Sequence, residues 1–161
     1  MVHMLIGIQG SGKTTFAKEL SQKLNCQIAS TDYVRKNMKE IPESEVFPTV
    51  YKLIVEAIKN NQDIIYDATN ITPKVRKRFF DEMEKNNVTP QVTAYYFDTD
   101  VVECYNRVKM RNTMEGELYL PEEVVFSYNE KIKRPTLDEG FEHINIIKNG
   151  LIVATIETVK E

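Results

Sequence analysis

A chain of 161 residues with 42% hydrophobic and 28% charged residues carries enough apolar surface for a folded core, which excludes an intrinsically disordered polypeptide. Its net charge of −3 excludes a protein that coats duplex nucleic acid through a basic surface, though not one that handles an end at a few phosphates. Two cysteines are too few for a disulfide framework, no apolar run reaches the length of a membrane span, and "MVHMLIGIQG" turns glycine-rich before a signal-peptide core forms. A cytoplasmic location with no membrane partner is therefore expected.

Periodicity predicts strands alternating with helices. "HMLIGI" (3–8) is a continuous apolar strand, followed by a glycine-rich turn and an amphipathic helix over Lys13–Leu24. "CQIAS" (26–30) is the second strand, and a short helix follows Asp32. "EIPESEVFP" (40–48), with two prolines, reads as a loop, and "TVYKLIVEAIKNN" (49–61) has helical spacing at Val50, Leu53, Ile54, Ala57 and Ile58. "DIIYD" (63–67) is the third strand. Thr72 then reads as an N-cap with Pro73 at the first helical position of a helix to about Lys85. "QVTAYYF" (91–97) is the fourth strand, Asp100 caps "VVECYNRVKM", and a further helix follows Pro121. "HINII" (143–147), the turn "NG" and "LIVATI" predict a last strand and its hairpin partner.

This alternation implies an α/β fold in a single domain over 1–161, with a largely parallel central sheet flanked by helices. In such sheets ligands bind beyond the carboxyl ends of the strands. The first three strands end in the glycine-rich turn, in Asp32 and in Asp67.

"GIQGSGKT" (7–14) fits G-x-x-x-x-G-K-[ST] without a mismatch, between a strand and a helix as its mechanism needs. The glycines let backbone N–H groups fold around phosphates. Lys13 reaches the β- and γ-phosphates, and the Thr14 hydroxyl can ligate Mg²⁺. Gly10, Ser11, Gly12, Lys13, Thr14 and Thr15 are thus the candidate contacts to ATP. The motif alone does not separate a kinase from a GTPase, a motor or a binding module.

Phosphoryl transfer also needs a carboxylate beside the incoming hydroxyl, and Asp32 ends a strand expected to neighbour the phosphate loop. Arg35, one helical turn on, would grip an anion on the same acceptor. The competing reading is that Asp32 or Thr31 only caps the helix that follows.

The chain resembles the kinase domain of polynucleotide 5′-hydroxyl kinases, a P-loop NTPase fold with a small helical lid. The resemblance is carried in order by "GSGKTTFAKEL", "STDYVRKNM", "IIYDATNITPKVRKRFF", "ECYNRVKMRN" and "RPTLDEGFEHI". It implies that Asp32 is the general base, that Arg35 clamps the phosphate adjoining the acceptor, and that Arg107 and Arg111 are lid arginines closing on the donor. Thr31 stands where several members have arginine, and no D-x-D-x-T phosphatase motif is present, so a kinase alone is implied.

Four further residues carry two readings each. Arg107 and Arg111 share a helix face, as either surface charges or catalytic fingers, with the polar "RNTMEGELY" after them in the character of a lid. Asp67 either helps hold Mg²⁺ or forms a turn with Thr69 and Asn70. Within "KVRKR" (74–78), Arg76 belongs either to a solvated helix face or to a contact with acceptor phosphates.

The sequence thus predicts an ATP- and Mg²⁺-dependent kinase acting on the 5′-hydroxyl end of DNA or RNA. The alternatives are a kinase for a small metabolite or an aminoacyl-tRNA hydroxyl, and an ATP-binding module without catalysis. Oligomeric state is left open.

Overall fold

The computed structural model describes residues 1–159. Among these residues six strands, β1 (Val2–Ile6), β2 (Gln27–Ser30), β3 (Ile64–Asp67), β4 (Val92–Phe97), β5 (His143–Lys148) and β6 (Leu151–Glu157), form one sheet in the order β2-β3-β1-β4-β5-β6. The first five pair in parallel and β6 runs antiparallel to β5. Six α-helices join them: α1 (Lys13–Leu24), α2 (Thr31–Asn37), α3 (Val46–Lys59), α4 (Pro73–Lys85), α5 (Val101–Arg111) and α6 (Glu122–Lys131). The predicted α/β architecture with a largely parallel sheet is what the chain adopts.

Alternation along the buried strands divides the core. Val2, Met4 and Ile6 of β1, with Ile64, Tyr66, Val92, Ala94 and Tyr96, face Val50 and Ile54 of α3 and Phe79 and Met83 of α4. Leu5, Ile65, Tyr95 and Phe97 face the other way, onto Phe16, Ala17 and Leu20 of α1. A strand buried on both faces reads as a continuous apolar run, and that is why "YYF" belongs to the core and not to a base-stacking surface. A third cluster joins Ile8, Ile71, Cys104, Val108 and Val125, packing α5 and α6 beneath the glycine-rich loop.

Caps and turns follow the sequence closely. The Thr72 hydroxyl accepts from Val75 N at 3.2 Å with Pro73 next to it, and the Asp100 carboxylate accepts from Val102 N at 2.9 Å. Asn149 (φ 51°) and Gly150 (φ 75°) both take positive φ, the requirement of a tight hairpin turn between twisted strands.

Three expectations are corrected. β1 ends at Ile6, because Ile8 turns down into the α5/α6 cluster. The predicted loop 40–48 is partly helical: α3 starts at Val46 with Pro48 in its first turn, where a missing N–H costs nothing. β2 pairs with β3 and not with β1, so β3 lies between Asp32 and the glycine-rich loop. Among the described residues, no helix is long and apolar enough to cross a membrane.

Candidate active site

The glycine-rich loop leaves β1 and enters α1 at the carboxyl edge of the sheet. α1 has no side-chain cap at Gly12, so the first N–H groups of the helix stay available to an anion. Gly10 has φ 77°, and a Cβ there would lie 2.3 Å from the Cys104 carbonyl oxygen of α5. Only glycine lets the loop lie this close to α5. Two side chains fasten it: Arg107 Nη1 donates to Gly10 O at 3.0 Å, and Thr99 Oγ1 donates to Ser11 O at 3.0 Å. Lys13 Nζ curls back to Ile8 O at 3.0 Å. Burial lowers the Lys13 pKa, opposed by the nearby carboxylates of Asp67 and Asp32 and reinforced by Arg111. A cation kept short of solvent beside unpartnered N–H groups is a place for phosphate oxygens.

Asp67 is centred in this edge by register: it stands opposite Leu5 of β1 on one side and Ser30 of β2 on the other. The turn after it is tied to the loop, with Gly7 N donating to Thr69 O at 3.0 Å and Asn70 Nδ2 to Leu5 O at 2.9 Å. Asn70 sits at φ 47°, a conformation asparagine tolerates better than most residues. Asp67 is buried, and burial raises its pKa, offset by Lys13 and reinforced by Asp32. No described residue gives its carboxylate a hydrogen bond, and the Thr14 side of the loop lines the same cleft. An oxygen-rich, anionic pair of this kind suits a hard divalent cation.

On the acceptor side the cap question has a definite answer. Ser30 caps α2, its hydroxyl accepting from Tyr33 N at 3.2 Å, which leaves the Asp32 carboxylate outside the capping role. Asp32, Arg35 and Lys36 all line an 830 Å³ cleft shared with the loop, Asp67, Arg107 and Arg111. Arg35 Nη1 donates to Asp32 Oδ1 at 3.2 Å and Nη2 to Glu43 Oε1 at 2.8 Å. Lys36 Nζ reaches across to Glu117 at 2.5 Å, in the segment between α5 and α6. Arg111 is half-buried in the wall, and Arg107 is also paired with Glu103 at 2.6 Å.

Arg76 is elsewhere, and both expectations for it are corrected. It is completely buried, its Nε and Nη2 forked onto Glu139 at 2.8 and 3.2 Å and its Nη1 donating to Asn70 O at 2.8 Å and Lys133 O at 3.1 Å. With every arm taken it cannot meet an acceptor. It joins α4 and the 133–139 segment to the turn behind Asp67. Lys36 and Glu117, which line the cleft, and Glu43, which pairs with Arg35 beside it, were not singled out by sequence reasoning. Lys36 adjoins Arg35, but no local signal links it to a glutamate that lies 81 residues on.

A parallel sheet with a phosphate loop after β1, Asp67 at the end of β3 and Asp32 in the first turn of α2 defines a P-loop nucleotide-binding fold. Residues 2–135 match the family model described as "AAA domain", and the chain belongs to that family. It is 26% identical over 144 residues to the bifunctional polynucleotide phosphatase/kinase of Schizosaccharomyces pombe, covering 88% of this chain and 32% of that protein. It is 23% identical to the thermoresistant gluconokinase of Escherichia coli, covering 99% of this chain and 94% of that protein. Among solved structures, Chaetomium thermophilum Kti12 in complex with ADP-AlF3 superposes with a TM-score of 0.70 at 14% identity, over 91% of this chain and 88% of that one. A chain of the Pnkp1/Rnl/Hen1 RNA repair complex gives a TM-score of 0.67 at 21% identity, over 81% of this chain and 43% of that one. At these identities the structural likenesses establish the fold.

Proposed function

We propose that the protein transfers the γ-phosphate of ATP to the 5′-hydroxyl end of DNA or RNA. The observation that carries the reading is the placement of Asp32 and Arg35 together on the cleft side of α2, opposite the phosphate loop. The loop N–H groups and Lys13 hold the donor phosphates. Thr14 and Asp67 would hold Mg²⁺, which when bound neutralises phosphate charge during transfer. Asp32 orients the acceptor hydroxyl, whose oxygen bonds to the γ-phosphorus as the bond to the bridging oxygen breaks. The proton passes to Asp32 and ADP leaves. Arg35 grips the phosphate next to the acceptor nucleoside, while Arg111 and Arg107 stand on the donor side to balance charge on the transferred group. The matched phosphatase/kinase supports this choice of acceptor.

A second reading follows from the gluconokinase match, which runs nearly end to end in both chains: the acceptor is then a small anionic metabolite. Label transfer from γ-labelled ATP to a 5′-hydroxyl oligonucleotide separates the two. Wild type should transfer label. Asp32→Asn should lose about 10²- to 10⁴-fold in rate while still binding ATP. ATP binding without any labelled oligonucleotide would reject the polynucleotide acceptor.

A further inference from the structure

Both cations that α2 presents to the cleft are held by carboxylates from other segments. The Arg35 fork meets Glu43, with Nε at 3.2 Å from both carboxylate oxygens and Nη2 at 2.8 Å from Oε1. Glu43 opens a short 3-10 turn, Glu43–Glu45, on the way to α3. Lys36 meets Glu117 in the 112–121 segment. Neither glutamate is anchored in a core: their side chains are 71% and 31% exposed. Two loops distant in sequence therefore each place one anion on adjacent cations of the same helix, at the entrance to Asp32.

A carboxylate and a phosphodiester offer a cation the same thing, a single negative charge spread over oxygens that accept hydrogen bonds. Exchange of one for the other keeps the guanidinium and the ammonium paired, and the released glutamates pass into water. The Arg35–Glu43 pair is exposed on its carboxylate side and the Lys36–Glu117 pair is half-buried, so water reaches both and a phosphate can displace either carboxylate. A neutral acceptor offers no such exchange, because opening either pair would cost Lys36 its carboxylate or leave Arg35 with Asp32 alone.

We propose that Glu43 and Glu117 occupy two successive phosphate sites of the acceptor, with Arg35 taking the first phosphate and Lys36 the second. Arg35 and Lys36 thereby favour phosphorylated chains, and the glutamates hold the two cations in place until such an acceptor displaces them. This rests on the polynucleotide reading and adds Lys36 as a binding residue.

The test is steady-state label transfer to three acceptors with a free 5′-hydroxyl: a nucleoside, a nucleoside 3′-phosphate and a dinucleotide 3′-phosphate. Glu43→Gln should lower KM for both phosphorylated acceptors about two- to fivefold, with kcat nearly unchanged. Glu117→Gln should lower KM for the dinucleotide 3′-phosphate alone, and Lys36→Met should raise it for that acceptor alone. Neither glutamate variant should alter the response to the nucleoside. A KM that stays put or rises in Glu43→Gln overturns the proposal, since Glu43 then only positions Arg35. Wild type that labels neither phosphorylated acceptor sinks the polynucleotide reading and this inference together; transfer with unmoved KM values sinks the inference alone.

Discussion

Asp67 and Lys13 are both held away from their ordinary protonation behaviour by burial, in opposite directions. Burial raises the Asp67 pKa, so the folded state binds a proton more readily than the unfolded chain. Stability from this group is then greatest at low pH and falls as pH rises from the unfolded value through the raised folded one. Lys13, lowered by burial, acts with the opposite sign in the alkaline range below its ordinary value. Asp67→Asn removes the first effect. Its stability relative to wild type should therefore improve as pH rises above the ordinary carboxylate value of about 4, measured by denaturant unfolding of nucleotide-free protein at each pH. A relative stability that falls over that rise would contradict the assignment.

Among the elements, the join between α4 and the 133–139 segment depends on one side chain. Arg76→Met would leave Glu139 without its cation and the carbonyls of Asn70 and Lys133 without a shared donor. Removing one partner of a buried pair should destabilise the fold by about 3 kcal/mol, read from the shift in denaturant midpoint. Arg76→Lys keeps the charge and loses the fork, so its loss should be smaller. Equal losses would show that the fork geometry is unimportant. Arg76 also holds the Asn70 carbonyl of the 68–72 turn, and that turn is tied to the start of the phosphate loop by the Gly7 N to Thr69 O bond, so this interior ion pair and the donor site share one support. α5 plays the matching part on the other side, through Gly10 and Arg107.

Across the whole molecule, order should decline from the centre of the sheet to one edge. β1 pairs on both sides and is buried throughout, whereas β6 pairs only with β5 and has every residue exposed. Opening free energy follows buried contacts. Hydrogen exchange should accordingly be slowest in β1 and its neighbours β3 and β4, and about 10²-fold faster or more in β6. Comparable protection in β6 would mean that another surface covers it.

What the sequence determined by itself is local: the strand–helix alternation, the caps at Thr72 and Asp100, the Asn149–Gly150 turn and the phosphate loop. Each of these depends on residue types within a few positions of one another, through periodicity, capping or backbone freedom. Pairing order and ion-pair partners depend instead on which distant segments the packed core brings together. Only the tertiary structure inserted β3 between Asp32 and the loop, withdrew Arg76 from the helix surface into the interior, and set Glu43 and Glu117 on the two cations of α2. Burial is the physical reason in the case of Arg76: a helix-surface charge becomes an interior one only once another segment, here 133–139, packs over it with a carboxylate to match.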